Sequence, residues 1–121
     1  MKLFTEAKLL RIFIGESDKH DGRPLYQVIV ERARERELAG ATVLRGTLGF
    51  GANSRIHTAK ILRLSEDLPM VIEIVDEPER INDFVKELNG LIKEGLVTLE
   101  KVEVIIYRHN HDDQYQAAQK K

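Results

Sequence analysis

Two stretches with helical spacing are separated by runs with strand spacing, and this order restricts the folds open to the chain. Pro24 suits a first helical turn and Gly40 the position just past a helix end. Between them Leu25, Val28, Ile29 and Ala33 fall on one helical face, and the far end, Glu31 to Glu37, is charged. Between Pro78 and Gly95, Ile81, Phe84, Val85, Leu88, Leu91 and Ile92 repeat that spacing. Asp76 followed by Glu79 predicts a capping-box-like start to this second helix. The intervening segments read as strands. Leu10, Ile12 and Ile14 alternate with Leu9, Arg11 and Phe13, and further strands are expected over Thr42 to Phe50, Met70 to Val75 and Val97 to Tyr107. Gly15 to Gly22 reads as a polar loop and Ser65 to Pro69 as a turn.

The order β-α-β-β-α-β predicts an α+β, ferredoxin-like sandwich with an antiparallel four-stranded sheet. Residues 1–121 form a single domain, with a core over 7–107 and a polar tail over 108–121. Two helices can cover only one face of such a sheet. Ile12, Ile72, Ile74, Val102 and Val104 are assigned to the covered face. The opposite face is assigned Leu9, Arg11, Phe13, Val71, Glu73, Val75, Glu103, Ile105 and Tyr107. Apolar groups interleaved with opposite charges suit packing against neighbouring subunits, with Arg and Glu pairing between them. A homo-oligomer is expected. The sequence has no cysteine, no run apolar enough to span a bilayer and no apolar leader over Met1 to Lys8, so a cytoplasmic location is expected.

Charge is unevenly distributed. Although 32% of residues are charged, no Asp or Glu lies between Glu37 and Glu66. That window holds Arg45, Arg55, Lys60, Arg63 and the run Gly46-Thr47-Leu48-Gly49-Phe50-Gly51. Cations, hydroxyls and glycine-flanked backbone make good anion ligands. The candidate ligand-binding residues are Arg45, Gly49, Gly51, Asn53, Ser54, Arg55, His57 and Thr58. His57 lies among cations that lower its proton affinity, leaving a neutral imidazole that can orient a ligand. The segment leads toward a strand and lacks the Lys-Ser or Lys-Thr ending of a nucleotide-hydrolysing phosphate loop.

No catalytic constellation, and no carboxylate inside the candidate site, is visible. Binding without catalysis, and without a cofactor, is expected. His109 and His111, beside Asp112 and Asp113, are half of a conceivable metal site, but they lie where polar residues gather at a chain end. His20 between Asp18 and Asp21 is explained by a turn. An RNA-binding module is the other alternative, because the RNA-recognition motif shares this element order. Its aromatic signature belongs on the third strand, where Met70 to Val75 has no aromatic residue, and the net charge of -1 lacks a basic excess, so nucleic acid is not expected as a partner.

The chain resembles domain-of-unknown-function family 190, grouped with the PII-like signalling proteins. The matching runs are Gly22 to Tyr26, Leu38 to Gly46, Gly49-Phe50-Gly51, Ile56-His57-Thr58, Leu64 to Pro69 and Ile72 to Asp76. The resemblance implies a ferredoxin-like core, a homotrimer and an adenine nucleotide or other small anionic ligand held between subunits. It also implies a regulatory connection over 51–68 that touches a partner, with a fluoride-exporting membrane transporter suggested by family association. The related trimeric divalent-tolerance proteins offer a divalent-cation-binding alternative.

Overall fold

The computed structural model describes residues 6–50 and 67–108. Strand β1 (Glu6–Gly15) leads through a short ribbon, β2 (Lys19–His20) and β3 (Arg23–Pro24), into helix α1 (Leu25–Glu35). Then follow β4 (Ala41–Arg45), β5 (Pro69–Asp76), α2 (Pro78–Leu88) and β6 (Leu96–Glu103). The main sheet has the order β4-β5-β1-β6, and every pairing is antiparallel. This is the expected ferredoxin-like α+β arrangement. The ribbon turns at Asp21 and Gly22, both at positive φ, the geometry that an Asp-Gly pair favours in a two-residue hairpin.

Alternation along β1 puts Leu10, Ile12 and Ile14 beneath the helices, with Ile72, Ile74 and Met70 beside them on β5. Leu25, Val28, Ile29 and Ala33 of α1 and Ile81, Phe84 and Leu88 of α2 complete that core. Burying each large aliphatic or aromatic side chain is worth about 1.5–3 kcal/mol, so this layer supplies the main driving force for folding. The two helices are also joined by charge. Glu87 accepts from Arg32 at 2.8 Å and from Arg36, and these bonds, with Arg32 foremost, hold its carboxyl below the usual range.

Helix α1 does not end at Gly40. Glu37, at φ 57°, takes the left-handed position, while Leu38 N–H donates to Ala33 O at 3.1 Å and Glu37 N–H to Arg34 O at 2.9 Å. These two bonds form a Schellman closure with glutamate where glycine is usual. The remaining carbonyls of the turn, Arg36 O and Glu37 O, accept from Arg80 of α2. A cation thus sits at the negative end of the helix and donates to two carbonyls of its closing turn.

Asp76 also differs from expectation. It is the last residue of β5, and the residue preceding α2 is Glu77, which makes no side-chain cap. The Asp76 carboxylate is buried and accepts from Ala39 N–H at 2.8 Å and Glu77 N–H at 2.6 Å, with Arg80 Nε 3.3 Å away. It therefore ties the α1–β4 connection to the start of α2. Helix α2 stops at Leu88, short of Gly95, and buried Leu91 lies in the turns that follow.

Two strands are shorter than their patterns suggested. β4 stops at Arg45, and the ladder ends with the Gly46 N–H bonded to Pro69 O at 2.7 Å, where β5 begins. β6 stops at Glu103, and its phase is opposite to the one expected. Val97 and Leu99 pair with Ile12 and Leu10 on the helix side, whereas Val102 pairs with Ala7 on the other face. Glu103 pairs with Glu6 on the helix side. Apolar residues occupy both parities of this segment, and a one-residue shift exchanges the faces.

Replacing Asp76 with Ala leaves two part-buried N–H groups without their acceptor and removes the carboxylate beside Arg80. The expected cost is about 3 kcal/mol, read as a lower urea midpoint. Asp76→Asn keeps one acceptor and should lose less. Wild-type stability in Asp76→Ala would contradict this assignment.

Candidate functional site

The anion-binding expectation is testable at its near end, where β4 stops. The other proposed ligand residues, Gly51, Asn53, Ser54, Arg55, His57 and Thr58, lie outside the described residues, as do His109, His111, Asp112 and Asp113. Arg45 is paired opposite Met70 on the helix side of the sheet, and its side chain is 56% exposed. Its guanidinium donates to Glu16, just beyond β1. The fold thus sets an acid from outside the segment beside Arg45, which the local sequence did not show. Sequence separation hid this contact, since antiparallel pairing of β1, β5 and β4 is what brings Glu16 to Arg45.

The end of β1 is held by main-chain and acid contacts. Glu16 N–H donates to Leu68 O at 2.8 Å. Asp18 accepts from Gly15 N–H at 2.9 Å, and Asp67 accepts from Ser17 N–H at 3.1 Å and Ser17 Oγ at 2.8 Å. Among the described residues no three acids or histidines converge as metal ligands. Gly46 and Gly49 both close on Pro69. A Cβ on Gly46 would meet Pro69 Cγ at 2.6 Å, and one on Gly49 would meet it at 3.0 Å. For these glycines the described contacts give packing against a rigid ring as the reason for a missing side chain. Leu48 and Phe50, beside them, are exposed.

A second feature occupies the sheet face that the helices leave open. Leu44, Val71, Phe13 and Leu96 form an apolar row across all four strands. Beside it runs a polar row of Thr42, Glu73, Arg11 and Thr98. Arg11 bonds Glu73 at 2.8 Å, so this arginine and glutamate, expected to pair between subunits, pair within the chain, and Glu100, not among the residues expected on this face, is a second partner at 2.5 Å. The bond to Glu73 is the main cause raising the Arg11 pKa. At the far end of this face lies a groove of about 430 Å³ lined by Leu9, Val75, Val104, Ile106 and Tyr107, among others. The Tyr107 hydroxyl donates to Ala39 O at 2.9 Å, which folds the chain after β6 toward the start of β4. Sequence pattern had marked this face but not the groove, because 104–107 was expected to continue the strand.

The fold and both features can be set beside known proteins. Residues 7–104 match the profile of the family DUF190, described as "Uncharacterized ACR". The chain belongs to this family. It is 48% identical over 101 residues to a UPF0166 protein of Aquifex aeolicus, covering 84% of this chain and 95% of that protein. Among solved structures it resembles CPII of Thiomonas intermedia K12, determined bound to ADP and bicarbonate, with a TM-score of 0.60 and 17% identity over 82% of this chain and 88% of that one. It also resembles the divalent ion tolerance protein CutA1 of Ehrlichia chaffeensis, with a TM-score of 0.55 and 9% identity over 98% and 96% of the two chains. At these identities the likeness is one of fold.

Gly46→Ala should lower stability by about 1–3 kcal/mol, because neither the Pro69 ring nor its carbonyl can give way cheaply. Gly40→Ala, with open space around the new methyl, is the control and should unfold like wild type. Equal thermal midpoints for Gly46→Ala and the control would refute the packing role.

Proposed function

We propose that this protein is a non-enzymatic, PII-like cytoplasmic regulator that assembles as a homotrimer and binds an adenine nucleotide or other small anion at a subunit boundary. The observation that carries this reading is the Arg45 guanidinium, more than half exposed at the point where the chain leaves β4 for the long connection to β5. The fold is shared with a protein solved with ADP and bicarbonate, and the family relationship covers almost the whole domain. Arg45 would neutralise phosphate or carboxylate oxygens, with Gly49, Gly51, Asn53, Ser54, Arg55, His57 and Thr58 completing the site.

The connection over 51–68 would respond to the ligand and present a partner surface, for which a membrane transporter such as a fluoride exporter is the family-based candidate. Leu48 and Phe50, exposed apolar groups at its base, favour a protein contact there. Among the described residues no helix is long and apolar enough to cross a membrane.

Titration calorimetry with ATP, ADP, AMP and bicarbonate tests the proposal. At least one should give saturable heat in the micromolar to millimolar range, at roughly -4 to -8 kcal/mol. Arg45→Gln should weaken that ligand tenfold or more. Absence of heat from all four would refute the nucleotide and bicarbonate reading.

A further inference from the structure

The pair formed by Glu16 and Arg45 is unusual in how little supports the acid. The Glu16 backbone is fixed, because its N–H donates to Leu68 O at the end of the sheet. Its Oε2 accepts from Arg45, whereas Oε1 is shielded from water and has no hydrogen-bond partner among the described residues. A carboxylate oxygen kept from solvent without a donor disfavours the arrangement that holds it there. On the other side of the pair, Arg45 is largely in water, where an ion pair gains little. The neighbouring acids do not reinforce the contact, since Asp18 is engaged by Gly15 N–H and Asp67 by Ser17.

We propose that Glu16 is an internal competitor for the anion site. In the unliganded protein its carboxylate occupies the Arg45 fork; a phosphate or carboxylate ligand displaces it, and Glu16 then turns its shielded oxygen to water. This rests on the anion-binding reading above and specifies what regulates that site. The exchange is an anion-for-anion replacement on one guanidinium, so no charge is left uncompensated on the arginine. Glu16 is accordingly a residue that sets affinity and rejects weak anions. A ligand must outcompete a carboxylate held next to the arginine by the fold, which favours multiply charged groups over singly charged ones.

The test is calorimetry of ADP binding to wild type, Glu16→Gln and Arg45→Gln, with thermal unfolding of each. Glu16→Gln keeps the shape of the side chain and removes its charge. It should bind ADP about three- to tenfold more tightly than wild type, with an unchanged or higher melting temperature. Arg45→Gln should lose binding. Equal or weaker ADP binding by Glu16→Gln, with binding still lost in Arg45→Gln, would overturn the competitor role and leave the anion site standing. ADP binding that is indifferent to Arg45→Gln, or heat from none of the three proteins, would overturn both.

Discussion

The arrangement depends on a geometric limit: four strands present two faces, and the chain has two helices, both packed on one of them. β1 is paired on both edges, with β5 and β6, so its alternation fixes the identity of both faces at once. Leu10, Ile12 and Ile14 face the helices and are buried, while Leu9, Arg11 and Phe13 face away and are half-buried. A face meant only for water would not need an apolar row running from Leu44 to Leu96. The Arg11 clamp, satisfied within the chain by Glu73 and Glu100, lets charge sit in the middle of that face without demanding a partner's acid. Such a face can meet another surface without leaving an unpaired arginine.

The helix layer is held against the sheet by a polar network as well as by packing. Asp76 binds the connection before β4 and the start of α2, and Arg80 closes the carbonyl end of α1. Together they position Ala39, whose N–H meets Asp76 and whose carbonyl receives the Tyr107 hydroxyl. One residue in a connection thus links the core side of the domain to the groove on its open side. At the other end of β4, Gly46, next in sequence to Arg45, and Gly49 pack on Pro69. The two candidate surfaces therefore lie at opposite ends of one five-residue strand.

Much of this was legible in the amino-acid order. Helical spacing found both core-facing stripes, and strand spacing in β1 and β5 found the covered and open faces, because in those segments one parity carries every deeply buried aliphatic except Ala7. The phase of β6 was not legible: Val97, Leu99, Val102 and Val104 place apolar groups on both parities, and only pairing with β1 decides between them. Gly40 and Gly95 misled as helix ends because glutamate adopted the left-handed position at Glu37, and because α2 closes through turns at Asn89 and Gly90 instead. Asp76 looked like a cap from its spacing to Glu79, yet its acceptors serve a connection far away in sequence. The same kind of long-range contact, Glu16 with Arg45, lay beyond any local pattern, and it sets an acid beside the proposed anion site.

In the proposed homotrimer, further copies of this chain would cover the open sheet face. Sedimentation equilibrium of the purified protein at micromolar concentration measures that directly. The homotrimer should give a mass three times the chain's 13.9 kDa, falling to that of a single chain when Phe13, in the middle of the apolar row, is replaced by Glu. A wild-type protein that sediments as one chain across that range would contradict it.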